Sequence, residues 1–150
     1  MPILFLETSA LVKLYVREQG TDEMLQLARA KGNRFAFLAL ARIEIHSAVR
    51  RRERSGEIAR RIANHLLELF RQHLPKRFAV QAITENVLDR SSDLIDKYAL
   101  RAFDALQLAG FIAFCKANPA EHAVFVCADR QLLDAAKQEN LEFLNPGTRS

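Results

Sequence analysis

The sequence has no tryptophan, two cysteines, four prolines and five glycines in 150 residues, and no apolar run reaches the roughly 18 residues that suggest a membrane span. The missing run argues against a membrane protein. Cys115 and Cys127 lie in apolar surroundings without CxxC spacing, so reduced, buried thiols are expected rather than a disulfide or a zinc site. The first residues lack a positively charged segment followed by a cleavable apolar one, which argues against secretion and places the protein in the cytoplasm. No internal repeat, linker or low-complexity tract interrupts the chain. Its length suits one domain, 1–150, with one substantial core.

What is present is an ordinary globular composition, 49% apolar and 27% charged. The net charge of +4 is unevenly spread: Arg50, Arg51, Arg52, Arg54, Arg60 and Arg61 crowd one stretch. Such a patch favours polyanions, with Arg50, Arg51 and Arg52 as candidate nucleic-acid contacts. The competing reading is a solvated helix surface whose apolar stripe belongs to the core or to a dimer seam.

Residues 3–6 form a short, unalternating apolar run that ends on Glu7 and turns at once into a helix beginning near Thr8 or Ser9. That pattern suits a strand buried on both faces. Further strands are expected at 34–38, 78–80, 123–127 and 141–144. Between them, helical spacing predicts a helix over 21–31 and a helix pair broken at Ser55-Gly56 and ended before Pro75. Further helices are expected from Thr84-Glu85 to Tyr98, over 101–116 and over 131–139. The helix from Thr84 should carry Val87, Leu88, Ser91, Leu94, Ile95 and Tyr98 on one side. Strands alternating with helices imply parallel pairing with right-handed crossovers.

Acids on apolar faces are the informative charges, because charged groups are seldom buried unless paired or bound to a metal. Glu7 ends the first strand, and Asp129 follows the fourth. Glu44 shares the inward register of Ala41 and Ala48, and Asp104 opens the most apolar helix. Each has a plain structural reading: a helix-dipole acid for Glu7 and Asp104, an arginine partner for Glu44, an N-cap for Asp129. Together they are harder to dismiss, since a parallel sheet brings strand ends and helix starts to one edge. Four carboxylates that close require a compensating cation. Oxygen-only donors select Mg²⁺ or Mn²⁺, and His46, His65, His73 and His122 are scattered without ligand spacing. Such an ion activates water and stabilises charge on a phosphoryl oxygen.

Residues 6–13 around Glu7, 41–45 around Glu44, 100–109 around Asp104 and 127–132 around Asp129 resemble, in order, the successive motifs of the PIN-domain nucleases. The VapC-type toxins of bacterial and archaeal toxin–antitoxin pairs are the nearest match. The resemblance implies an α/β fold, a three-layer α/β/α sandwich with a mostly parallel central sheet of four to five strands. It also implies metal-dependent endonucleolytic cleavage of RNA by a water activated at an acidic site. By that resemblance Glu7, Glu44, Asp104 and Asp129 hold Mg²⁺ or Mn²⁺, and Thr8 or Ser9 supports the site by hydrogen bonding. The resemblance further implies a cognate antitoxin covering the cleft and a homodimer. Two positions depart from the pattern. Glu7 stands where the family usually has Asp, one methylene further from the backbone, and Cys127 stands where Thr or Ser is frequent. The first departure keeps open a catalytically weakened protein that mainly binds antitoxin or RNA. A phosphotransfer domain fits poorly, since it needs an Asp nucleophile and a second Asp two residues on, where this chain has Glu7 and Ser9.

Overall fold

All four residues of the first strand, β1 (Ile3–Leu6), are buried, and their alternation sends Ile3 and Phe5 to one face and Leu4 and Leu6 to the other. A strand apolar on both faces must be covered on both, and the rest of the chain does this. In the computed structural model, which describes residues 2–147, β1 is followed by α1 (Thr8–Val12), α2 (Thr21–Arg29), β2 (Arg34–Leu38), α3 (Ala41–Arg54) and α4 (Arg60–Arg77). Then come β3 (Phe78–Gln81), α5 (Glu85–Tyr98), α6 (Ala102–Ala117), β4 (Ala123–Val126), α7 (Arg130–Gln138) and β5 (Phe143–Leu144).

The five strands form one sheet in the order β3-β2-β1-β4-β5, and every neighbouring pair is parallel. Leu4 of β1 is in register with Phe35 of β2 and Val124 of β4. The chain leaves β1 toward β2 on one side and returns much later to β4 on the other. The order therefore reverses between β1 and β4, and a crevice opens at their carboxyl ends, where ligands bind in sheets of this kind.

One face carries Phe5, Leu38 and Phe125 beneath α5, α6 and α7, with the Phe5 ring 5.4 Å from Phe111 and 5.5 Å from Phe114. The other face packs Leu4, Leu6 and Phe37 against residues of α1 to α4, including Ile45, Val49 and Phe70. The result is the expected three-layer arrangement. Helix α6 lies so near the sheet that a Cβ at Gly110 would fall 2.7 Å from the Leu38 Cδ1 atom.

Three local expectations are corrected. Helix α4 does not stop before Pro75 but continues to Arg77. Proline removes one donor from an α-helix, and here the loss falls in the final turn, where Leu74 and Phe78 hold the segment against the Phe70 cluster. Helix α2 ends at Arg29, two residues early, before a turn with Gly32 at φ 86°. On α5, Leu88 and Ile95 are exposed, so its inward face narrows to Val87, Ser91, Leu94 and Tyr98. The stripe of the α3–α4 pair faces the core through Ile45, Val49, Ala63 and Phe70. Among the described residues, no single helix is long and apolar enough to cross a membrane.

Candidate active site

Glu7 leaves β1 in extended conformation and becomes the N-cap of α1, its carboxylate accepting from Ser9 N at 2.9 Å and from the Ser9 hydroxyl. The residue is only 6% exposed. Burial holds its carboxyl above the ordinary range, the Ser9 hydrogen bonds oppose that shift, and the nearby Glu44 charge adds to it. The Ser9 oxygen also accepts from Ala128 N at 2.9 Å, which fastens the exit of β4 to the start of α1.

Glu44 sits in the first turn of α3, half-buried. Among the described residues it has no arginine partner in hydrogen-bonding reach. Instead its Oε1 accepts from Thr8 Oγ1 at 2.6 Å and from Gln107 Nε2 at 2.7 Å, and the same amide donates to Thr8 Oγ1 at 3.1 Å. Gln107 is fully buried on α6, one turn after Asp104 and therefore on the same side. Its Oε1 is the one buried side-chain polar atom without a partner among the described residues. Sequence reasoning missed this residue, although an amide inside the most apolar helix was a usable signal.

Asp104 lies in the first turn of α6, with its carboxyl raised by burial and then by the Asp129 charge, against the lowering effect of Arg101 3.6 Å away. Asp129 caps α7, its Oδ1 accepting from Leu132 N at 3.1 Å. Cys127 is buried between the two strand-end acids. Its Sγ accepts from Asp129 N at 3.3 Å, and burial followed by the Glu7 charge pushes its thiol far up, so it stays protonated.

The Glu7 carboxyl feels the charge of Glu44, and that of Asp104 feels Asp129. Glu44 and Asp104 share a cleft of about 490 Å³, completed by Arg51, Arg101, Ala102 and Phe103. Among the described residues, no three Asp, Glu, His or Cys side chains stand at coordinating distance. Glu7 and Asp129 are turned back onto the helices they cap. The donor chemistry still suits a hard divalent cation, because the four acids present oxygen only, and Glu7 and Asp104 are held up by burial and then by a neighbouring carboxylate.

Of the three arginines singled out in the sequence, only Arg51 lines this cleft. Arg50 is bonded to Glu53 at 2.8 Å, and Arg52 is held by Glu18 and, at 3.6 Å, by Glu57. Consecutive helix residues point about 100° apart, so three in a row cannot share a face. Arg101 takes the place beside Arg51 that the sequence reading gave to its neighbours. A larger groove of about 860 Å³ lies between α3 and α4, and none of the four acids lines it. It is lined by apolar side chains such as Ile43, Leu67 and Phe70, together with Arg42, Arg50 and Arg71.

The family described as PIN domain matches residues 4–115, a span containing Glu7, Glu44 and Asp104. The chain belongs to the PIN-domain family. Its curated relatives include ribonuclease VapC46 of Mycobacterium tuberculosis, 33% identical over 73% of this chain and 74% of the relative. Ribonuclease VapC47 of the same species is 27% identical over 97% and 98%. Among solved structures, this PIN-domain fold superposes on VapBC2 of Rickettsia felis bound to a promoter DNA fragment, with TM-score 0.63 and 19% identity over 95% of this chain and 98% of that one. It also superposes on FitAcB of Neisseria gonorrhoeae, with TM-score 0.64 and 16% identity over 95% and 97%.

Proposed function

We propose that this PIN-domain chain is a metal-dependent endoribonuclease and the toxin of a toxin–antitoxin pair. The observation that carries the reading is that Glu7 and Asp129 follow β1 and β4, where the strand order reverses, while Thr8 ties Glu44 to the start of α1 and Asp104 shares the Glu44 cleft. Relatives named as ribonucleases and neighbours solved as toxin–antitoxin complexes support it.

In this reading Glu7, Glu44, Asp104 and Asp129 hold Mg²⁺ or Mn²⁺. A divalent ion bound there lowers the pKa of water and neutralises charge gathering on a phosphoryl oxygen. The chain's own groups prepare the place: Thr8 and Gln107 fix the Glu44 carboxylate, and Ser9 fixes Glu7. Arg51 and Arg101 meet the phosphates of the RNA backbone, while Arg50 and Arg52 hold the fold through their acidic partners. The antitoxin supplies an amphipathic segment for the apolar, arginine-rimmed α3–α4 groove. Leu88 and Ile95, two turns apart and exposed on α5, form the seam of a homodimer.

The test is cleavage of a structured RNA in Mg²⁺ or Mn²⁺, with Asp104→Asn abolishing the product. Cleavage that survives this substitution, or that persists in excess EDTA, would overturn the assignment. The engagement of the Glu7 carboxylate as a helix cap favours a second reading, in which the site is catalytically weak and binding dominates. Glu7→Asp should then raise the cleavage rate, and an unchanged rate removes that reading.

A further inference from the structure

We propose that Phe103 is a stacking platform for an unpaired nucleobase beside the scissile phosphate. The proposal rests on the ribonuclease reading and names what part of the substrate the site grips.

Helix α6 is the most buried helix of the chain, with Ala105, Leu108, Ala109 and Phe111 all at 1% exposure or less. Phe103, on the same helix, is 57% exposed. It immediately precedes Asp104 and lines the cleft shared by Glu44, Asp104, Arg51 and Arg101. Four of the six residues of that cleft are charged, which is poor company for an aromatic ring awaiting an apolar protein partner. It is good company for a nucleotide, which offers phosphate to guanidinium groups and a π face to an aromatic ring. In a duplex the base faces are hidden in the stack, so only an unpaired base can lie on the ring. The α3–α4 groove, by contrast, has the apolar lining that a protein segment wants. A cleft of about 490 Å³ is the size of a small-ligand pocket. It therefore suits a single nucleotide better than a helix.

The absence of tryptophan makes the test direct, since Phe103→Trp supplies the only indole in the protein. The variant would be titrated in EDTA with a labelled single-stranded oligouridine and with a duplex of equal length, following both fluorescence anisotropy and indole emission. Quenching by the single strand, with little or none from the duplex, is expected. In parallel, Phe103→Ala should raise KM for a single-stranded substrate about tenfold or more with little change in kcat, and Phe103→Tyr should restore it. Binding by anisotropy without quenching, equal quenching by duplex, or an unchanged KM in a folded Phe103→Ala protein would overturn the proposal. So would quenching by an acidic amphipathic peptide but not by RNA, which would assign the ring to a protein contact. Cleavage without quenching removes the platform and leaves the nuclease; quenching without cleavage by the wild-type protein does the reverse.

Discussion

Replacing Gln107 by Leu keeps most of the side-chain volume but deletes the amide that ties α6 to Glu44 and Thr8. The lost hydrogen bond to a charged group is worth about 1.5–3 kcal/mol, and removing the orphaned Oε1 returns a similar amount. Stability by urea titration should therefore change little, while the freed Glu44 carboxylate should cost cleavage more than tenfold. A second prediction concerns pH. Glu7 and Asp104 are both raised above their ordinary values, 4.5 and 3.8. The folded state thus holds their protons more tightly than the unfolded chain. The stability this gives is complete below the ordinary values and is lost as pH rises through the elevated ones. In EDTA the protein should weaken from about pH 4 upward, and Glu7→Gln should flatten that dependence in urea melts over a pH series. The four acids stood out as candidates because charge on an apolar register is conspicuous. Gln107 offered only the signal of an amide in the most apolar helix, and its bonds to Glu44 and Thr8 were hidden because those partners are 63 and 99 residues away in sequence. The pairing of Arg52 with Glu18, 34 residues off, was hidden for the same reason.

Helix α6 shows why an element's register matters as much as its existence. Its apolar surface announced a buried helix, yet only the structure shows Gly110 against Leu38, the close approach that seats Asp104 and Gln107 at the sheet's edge. Gly110→Val should force Leu38 aside and destabilise the fold by about 1–3 kcal/mol, the usual range for overpacking a core. Thermal denaturation would record it, and cleavage should fall as α6 is displaced. The run of α4 through Pro75 escaped the sequence reading because a local rule about proline was outweighed by packing from Leu74 and Phe78.

Across the whole molecule, the alternation of strands and helices was enough to expect a parallel sheet, but the order of strands was not in the pattern. Which strand neighbours β1 depends on how the crossover helices share the two faces, and only packing decides it. The same holds for charge. A net +4 suggests a polyanion partner, whereas the structure separates Arg51, which lines the cleft, from Arg50 and Arg52, held by Glu53 and Glu18. Arg51→Glu should weaken RNA binding and reduce its salt dependence by about one counterion. Arg52→Glu should instead lower stability, leaving the salt slope nearly unchanged. Filter binding across a salt series, with a melt for each variant, separates the two.

The position of β4 sets an order of completion for the newly made protein. Chains emerge amino terminus first, and β1 has a neighbour on one side only until residues 123–126 arrive to flank it on the other. A chain released before Ala123 carries Glu7, Glu44 and Asp104 but has neither Asp129 nor the Ala128 amide that anchors Ser9. Truncated translation products therefore carry three of the four candidate acids without the fourth, and the proposed site is complete only once synthesis has passed the central seam of the sheet.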